Sequence, residues 1–316
     1  MSLKTCLYSI SYLGIWYNGK ALTWKEMLKK AKDIGYEAVE FDAKRPHANP
    51  MDWDEKIRKQ VVEEADKLGL ALPALSANND FSSPVPELRE AQILMVREQL
   101  KLASDLGCKV LRVFGAWPGI TMINGAACYD EARRNWLRNF QDVPTLHRWR
   151  FIKECLAELC IYAEEYNVVM ALQNHDPITA TWSDVYRMIR EVDSPWLKIC
   201  YDINHQNDDT HIIDESFAKV APYDVHFHFN GEWERNAGGG LVVKETYGNV
   251  PIGYRPLKNY DYFIKKKIQS GYTGYFAYEF CHNPIRGSEI MGIDAVDEQC
   301  VFALELLKKW IMEANK

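Results

Sequence analysis

Short apolar runs alternate with amphipathic segments along the whole chain. Eight strand-like runs are separated by eight segments that have the three-to-four-residue apolar spacing of helices. The predicted strands cover 5–11, 37–42, 70–76, 109–114, 168–173, 197–202, 224–229 and 274–280. The predicted helices cover 24–34, 54–68, 86–106, 147–166, 183–191, 214–220, 259–270 and 294–314. This alternation predicts a parallel sheet covered by helices.

Local stop and start signals support these boundaries. Thr23 and Glu26 have the spacing of a capping box at the start of the first helix. Four helices run into a glycine that leads directly into the next strand, which is typical of a helix C-cap: Gly35, Gly69, Gly107 and Gly271. The predicted elements therefore follow each other with short connections.

Eight strands that alternate with eight helices predict a closed (β/α)8 TIM barrel, class α/β, as a single domain over 1–316. An open doubly wound sheet is the alternative, but it would have a Gly-rich phosphate turn after the first strand, which the segment 9–14 lacks. Two long connections follow strands four and seven, at 115–146 and 230–258. Their glycines and aromatic residues predict mobile lids over the C-terminal end of the barrel.

Composition restricts the class of function. The chain has a net charge of −6, a pI near 5.8 and no basic block, so nucleic-acid binding is not expected. It also has no signal pattern and no apolar stretch of membrane-span length, so we expect a cytoplasmic protein. The eight cysteines form no CxxC pair and fall mostly in apolar runs, which indicates free thiols.

Candidate chemistry is clearest in the strand at 224–229. Because side chains alternate along a strand, Asp224, His226 and His228 share one face, and Val225, Phe227 and Phe229 share the other. An imidazole-bearing face lines either solvent or a polar site. Other predicted strands also end in polar residues, and the C-terminal ends of barrel strands converge. The set comprises Glu40, Asp42, Asn79, Asp80, Arg112, Gln173, Asn174, His175, Asp202, His205, His226, His228, Glu279 and His282.

Within this set, Asp202, His228 and Glu279 predict a divalent metal site, with the carbonyl oxygen of Gln173 as a fourth ligand. Oxygen and imidazole ligands favour Mn²⁺ first, then Mg²⁺ or Co²⁺, and Zn²⁺ also fits. Two carboxylates balance the charge of the ion, which would remain a Lewis acid toward a sugar carbonyl.

The order of these motifs resembles the sugar phosphate isomerase/epimerase superfamily, the xylose-isomerase-like TIM barrels. The motifs are Asn-His at 174–175, Asp-x-x-His at 202–205, His-Phe-His at 226–228 and Tyr-Glu-Phe at 278–280. The resemblance covers essentially the whole chain. In ketose 3-epimerases it implies a metal held by a fifth-strand acid and by the positions of Asp202, His228 and Glu279. It further implies substrate contacts from His205 and from an arginine that follows His228. Arg235 is the candidate for that arginine, although the segment from His228 to Arg235 is one residue longer than in those epimerases.

The fifth strand departs from that pattern, because Gln173 stands where those epimerases have a glutamate that is both ligand and base. An amide cannot accept a proton at neutral pH. His175 lies two residues on, on the same face, and has the pKa range of a base for a proton next to a carbonyl. His175 is therefore the predicted base, beside Glu279, and one-base chemistry follows: isomerisation through a cis-enediolate, dehydration or β-elimination.

Further segments resemble the catalytic subunits of bacterial C-glycoside deglycosidases. These segments are 44–52, 79–81, 112–114 and 253–260. The likeness implies a lyase that cleaves a 3-keto-C-glycoside, with Lys44, Arg45 and His47 near the sugar or aglycone and with Asn79 and Arg112 as further substrate contacts. It also implies a small β-rich second subunit and a hetero-oligomer.

Three other hypotheses remain open. A sugar or sugar phosphate isomerase or epimerase would release no aglycone; a phosphate would require a cationic cluster such as Arg112 with Lys44 and Arg45. An endonuclease would need more zinc ligands and a basic face, which the acidic pI disfavours. A non-catalytic sugar-binding barrel would bind no divalent ion.

Overall fold

The fold is a closed parallel barrel surrounded by helices. The computed structural model describes residues 4–139, 141–202, 209–244 and 259–314. The strands are β1 (Lys4–Tyr8), β2 (Ala38–Asp42), β3 (Ala74–Ser76), β4 (Val110–Val113), β5 (Thr121–Ile123), β6 (Ala126–Cys128), β7 (Val169–Gln173), β8 (Leu197–Asp202), β9 (Asp224–Phe229), β10 (Trp233–Arg235), β11 (Leu241–Val243), β12 (Tyr275–Tyr278), β13 (Ile285–Arg286) and β14 (Glu289–Ile290). The barrel order is β1-β12-β9-β8-β7-β4-β3-β2, which confirms the predicted (β/α)8 TIM barrel as one domain.

The helices pack around this barrel. They are α1 (Trp24–Ile34), α2 (Glu55–Leu68), α3 (Pro86–Asp105), α4 (Tyr129–Asn139), α5 (Thr145–Tyr166), α6 (Trp182–Val192), α7 (Thr210–Val220), α8 (Tyr260–Gln269) and α9 (Ile293–Ala314). The capping box at the start of α1 is present, since Thr23 accepts from the Glu26 amide and Glu26 binds the Thr23 amide. Gly35 and Gly69 end α1 and α2 with φ of 101° and 66°, a backbone region in which glycine is favoured.

The long connections contain more structure than their sequence predicts. The segment 115–146 forms the hairpin β5–β6 and the helix α4, and the second connection begins with the hairpin β10–β11. The third strand is shorter than the predicted 70–76, because Pro73 has no N–H for a ladder hydrogen bond. The part of the run 253–260 that precedes residue 259 lies outside the described residues.

The apolar core lies between the barrel and the helices, and strand alternation decides which residues join it. Phe227 and Phe229 of β9 are fully buried on the outer face, where Phe227 stacks on Phe263 of α8 at 5.5 Å. Small residues fill the lower interior of the barrel, where Cys6, Ala38 and Ala277 form a separate buried cluster. Polar side chains can therefore occupy the interior above this cluster.

The eight cysteines are free thiols, as their distribution predicts. Among the described residues no helix is both long enough and apolar enough to cross a bilayer.

Candidate active site

The polar strand ends predicted from the sequence do meet at the C-terminal end of the barrel. The register of parallel pairing places Asp202 of β8 opposite His228 of β9, and His228 opposite Ala277 of β12, two residues before Glu279. Gln173 ends β7 and pairs with Cys200 of β8. All four polar side chains are buried. Neighbouring strands thus bring them to one place.

Their contacts define a group of oxygen and nitrogen donors, which we call the donor centre (Gln173, Asp202, His228 and Glu279). The Nε2 of Gln173 donates to Oδ2 of Asp202 at 2.6 Å. The Nδ1 of His228 lies 3.5 Å from Oε2 of Glu279. Burial raises the pKa of Glu279 well above its usual range, and the facing Asp202 carboxylate raises it further, while Arg112 opposes the shift. The centre thus concentrates two carboxylates that repel each other.

The donor centre fits a divalent cation. Two of its buried polar atoms have no hydrogen-bond partner in the described part of the chain: Oε1 of Gln173 and Nδ1 of His228. Buried polar atoms are normally paired, so unpaired atoms beside two facing carboxylates require an explanation. A dication bound by these oxygen and nitrogen donors would pair both atoms and remove the repulsion.

A second buried group lies directly beneath the donor centre and was assigned no role from the sequence. Glu40 of β2 is 2.7 Å from Nε2 of His226 and 2.9 Å from Nε2 of His228, and it accepts from the Ser76 hydroxyl. Burial alone would raise the pKa of Glu40, but His228 and His226 outweigh burial and hold that pKa well below its usual range. Burial lowers the pKa of His228 despite the neighbouring Glu40.

The predicted base His175 follows β7 at the edge of the centre. Its Nδ1 lies 2.6 Å from the carbonyl oxygen of Asp176, which can only accept, so Nδ1 carries a hydrogen. The ring packs edge-on against Trp117 and Phe114, with centroid distances of 4.8 and 5.0 Å. Asp176 in turn pairs with Arg133 of α4 at 3.3 Å. These contacts hold the imidazole in one orientation.

The connection 115–146 covers the mouth of the barrel through contacts with loops that follow several strands. The indole Nε1 of Trp136 donates to Asp80 at 2.8 Å, and the hydroxyl of Tyr129 donates to the Cys281 carbonyl at 2.9 Å. Tyr129 also packs on Trp117, with ring centroids 5.6 Å apart. These contacts provide the aromatic lining that the sequence predicts for a lid.

Two side chains that were predicted to contact the substrate, Arg112 and Asn79, form hydrogen bonds within the protein. Arg112 donates to the Ser76 hydroxyl, to the Ala77 carbonyl and to the Tyr8 hydroxyl at 2.7–3.0 Å. Asn79 bonds the backbone of Phe114 through both its amide nitrogen and its oxygen. Both side chains are buried, so they hold adjacent strands and loops together at the rim of the site.

The loop after β2 places its three candidates in different surroundings. The Nζ of Lys44 lies 3.7 Å from the buried Asp42 carboxylate, close to the barrel axis. Arg45 is exposed and forms a bidentate pair with Asp52. His47 is fully buried, and its ring nitrogens contact the Ser9 hydroxyl and the Leu22 carbonyl, each at 2.9 Å. Lys44 and His47 thus contact residues at strand ends, whereas Arg45 does not.

Arg235 lies on the outer hairpin β10–β11. It donates to the Gly239 carbonyl and to Glu305 of α9, and its guanidinium lies over Phe302 at 5.0 Å. The spacing from His228 to Arg235 is one residue longer than in the ketose 3-epimerase motif, and the Arg235 side chain is directed toward α9. His205 lies outside the described residues, so its role as a substrate contact stays a prediction.

Comparisons with known proteins agree with this architecture. A family model described as xylose isomerase-like TIM barrel matches residues 28–309. Solved structures with a similar fold include a 3-keto-D-glucoside 4-epimerase from E. coli, at 16% identity and a TM-score of 0.66, which covers 98% of this chain and 100% of that one. They also include the D-psicose 3-epimerase of Clostridium cellulolyticum H10, at 15% identity and a TM-score of 0.69, with 98% and 99% of the two chains covered.

An L-ribulose 3-epimerase is similar at 15% identity and a TM-score of 0.69, with 99% of this chain and 96% of that one covered. No curated protein sequence matches the chain significantly. At such identities the solved structures establish a shared fold alone, whereas the family model matches most of the sequence. The chain therefore belongs to the xylose isomerase-like TIM barrel family.

Proposed function

We propose that this protein is a metal-dependent sugar isomerase or epimerase that removes a proton next to a carbonyl and acts through a cis-enediolate. One observation carries the proposal: Nδ1 of His228 and Oε1 of Gln173, which have no hydrogen-bond partner among the described residues, lie with two carboxylates, Asp202 and Glu279, in one buried centre. These four residues would hold the metal, for which Mn²⁺ is the first candidate. When bound, the ion supplies Lewis-acid polarisation of the substrate carbonyl and charge stabilisation of the enediolate oxygens.

Two groups of the chain are suited to move the proton. His175 donates its Nδ1 hydrogen to the Asp176 carbonyl, so in the neutral ring Nε2 is the nitrogen that would accept a proton. Glu279 comes from β12, and in the barrel order two strands, β9 and β8, separate β12 from β7. His175 and Glu279 therefore approach the centre from different sides. Such an arrangement allows removal of a proton on one face and its return on the other, which is the requirement of an epimerase.

The arginines at the rim support an uncharged sugar as substrate over a sugar phosphate. Arg112 and Arg45 are each paired with protein groups, so in the described part of the mouth they do not form the cationic cluster that a phosphate would need. The similar proteins are epimerases of a 3-keto-D-glucoside, of D-psicose and of L-ribulose. We extend that substrate class, a small keto sugar, to this chain.

A β-eliminating lyase that acts on a 3-keto-C-glycoside is the second candidate. It is favoured by the amide at Gln173, which leaves the centre one base short of an epimerase that uses two carboxylate bases. The aromatic side chains of Trp117 and Tyr129 beside His175 would suit an apolar aglycone. A small β-rich second subunit belongs to this candidate alone.

Solvent exchange tests both candidates at once. Metal-stripped protein is reloaded with Mn²⁺, Mg²⁺, Co²⁺ or Zn²⁺ and incubated in D₂O with D-psicose, L-ribulose and a 3-keto-C-glucoside. We expect metal-dependent deuterium incorporation at the carbon next to the carbonyl, with an isomeric sugar as the product. Release of an aglycone would identify the lyase. Metal-loaded protein that catalyses no exchange on any keto sugar would refute the proposed function.

A further inference from the structure

Glu40 links two barrel strands that are not hydrogen-bonded neighbours in the sheet. It belongs to β2, whereas His226 and His228 belong to β9, and the barrel order places β1 and β12 between these strands. The Glu40 carboxylate is fully buried, with Oε2 at 2.7 Å from Nε2 of His226 and at 2.9 Å from Nε2 of His228. Its third partner is the hydroxyl of Ser76 on β3. The carboxylate thus reaches across the lumen to the underside of the donor centre.

The chemistry of these contacts decides which nitrogen of His228 carries the hydrogen. An ionised carboxylate can only accept, so the close contact with Nε2 requires a hydrogen on that nitrogen. The neutral ring then has its lone pair on Nδ1, which lies 3.5 Å from Glu279 and has no hydrogen-bond partner within the described ranges. We propose that Glu40 is a positioning residue that holds His228 in the tautomer and ring orientation needed to bind a divalent cation through Nδ1. This inference rests on the metal centre of the proposed function.

A metal ion held by Glu40, His226 and His228 themselves is the competing explanation, because their donor atoms lie within 4.8 Å of one another. The separations disfavour it. Donors that are each about 2.1 Å from the ion lie roughly 3.4 Å apart around a tetrahedral ion and roughly 3.0 Å apart around an octahedral one. The contacts of 2.7 and 2.9 Å are instead those of charge-assisted hydrogen bonds. Carboxylate–imidazole pairs of this kind commonly orient metal-binding histidines.

The first measurement uses Mn²⁺ affinity in the full-length protein. Glu40→Gln replaces the carboxylate by an amide whose NH₂ group can donate to Nε2 of His228 and favour the tautomer with a hydrogen on Nδ1. We expect Mn²⁺ affinity to fall about 10–100-fold, measured by competition with a chelator. Asp224→Asn is the matched control, since the carboxylate of Asp224 on β9 is likewise buried but pairs with Lys267. We expect this variant to be less stable while its Mn²⁺ affinity stays within about twofold of the wild type.

The second measurement needs no variant. In metal-free wild-type protein, ¹⁵N NMR of the imidazole rings should show His228 with a protonated Nε2 and a bare Nδ1. The opposite tautomer, an unchanged affinity in Glu40→Gln, or two Mn²⁺ ions per chain would each overturn the inference while leaving the metal centre in place. A wild-type protein that binds no divalent ion would instead refute the metal centre and, with it, the proposed function.

Discussion

Gln173 donates a hydrogen bond from Nε2 to Oδ2 of Asp202 at 2.6 Å, and its Oε1 has no partner in the described part of the chain. In the absence of a bound cation, the amide of Gln173 has two properties that a glutamate at this position would not have. It accommodates a buried carboxylate at contact distance without repulsion, and it presents a neutral oxygen to the same centre. Because an amide cannot act as a base, the proposed proton transfer is assigned to His175 and Glu279.

Gln173→Glu should strengthen metal binding and weaken the metal-free fold. The new carboxylate would face Asp202 at the distance of the present hydrogen bond, which destabilises the metal-free protein by about 1–3 kcal/mol. A third charged ligand should raise Mn²⁺ affinity about tenfold or more. Chelator competition and thermal unfolding with and without Mn²⁺ measure both effects.

Gln99→Glu provides the comparison for that experiment. Gln99 is also buried with an unpaired Oε1, but its Nε2 donates to the Ala43 carbonyl. This variant should lose stability and leave Mn²⁺ affinity unchanged. Unaltered affinity in Gln173→Glu would remove Gln173 from the set of ligands.

His175→Ala should abolish turnover while metal content stays near that of the wild type. The loss of a positioned base reduces kcat by about 10²–10⁴-fold, whereas His175 is outside the donor centre. Deuterium exchange and metal analysis give the two readouts. His147→Ala, at an exposed position of α5, is the control and should change neither. Loss of metal with intact turnover would contradict both assignments: that His175 is the base and that it is not a metal ligand.

Asp202→Asn should empty the metal site. The variant removes one of the two carboxylates that would offset the charge of the ion, so divalent ions should no longer raise the melting temperature. In the wild type, Mn²⁺ at about 100 times its Kd should stabilise the fold by about 2.7 kcal/mol, and a chelator should reverse this gain. A wild-type melting temperature that does not respond to divalent ions would contradict the prediction.

Glu232 should make stability depend on pH. Burial raises its pKa, but His282 and Lys244 outweigh burial and lower that pKa below its usual range. Because the folded-state pKa is depressed, the stabilisation is present above the unfolded-state pKa and disappears as the pH falls through the folded-state value. At pH 7 Glu232→Gln should cost about 1–3 kcal/mol, and the difference from wild type should vanish at strongly acidic pH.

The neighbouring Glu234→Gln is the control for this series, because Glu234 is exposed on β10. It should alter stability by less than about 0.5 kcal/mol at any pH. If Glu232→Gln and wild type differ by the same amount at all pH values, the ion pairs of Glu232 contribute nothing to the pH dependence.

Much of the site could be read from alternation along single strands. Gln173, Asp202 and Glu279 stand at or just after the ends of predicted strands, and His228 shares a face with His226, so their convergence followed once the barrel was predicted. The helix α4 was not predicted, because its connection has glycines and a polar composition that suit a loop. Its contacts, such as Trp136 with Asp80, join residues 56 positions apart.

The sequence by itself determined the barrel, the face on which each strand residue lies and the polar ends that meet above it. These follow from backbone periodicity, which acts over a few neighbouring residues. The tertiary structure alone decided the partners: Glu40 beneath His228, 188 residues away, and Arg235 against Glu305, 70 residues away. Such pairs depend on strand order and on the path of each connection around the closed barrel, which no local pattern encodes.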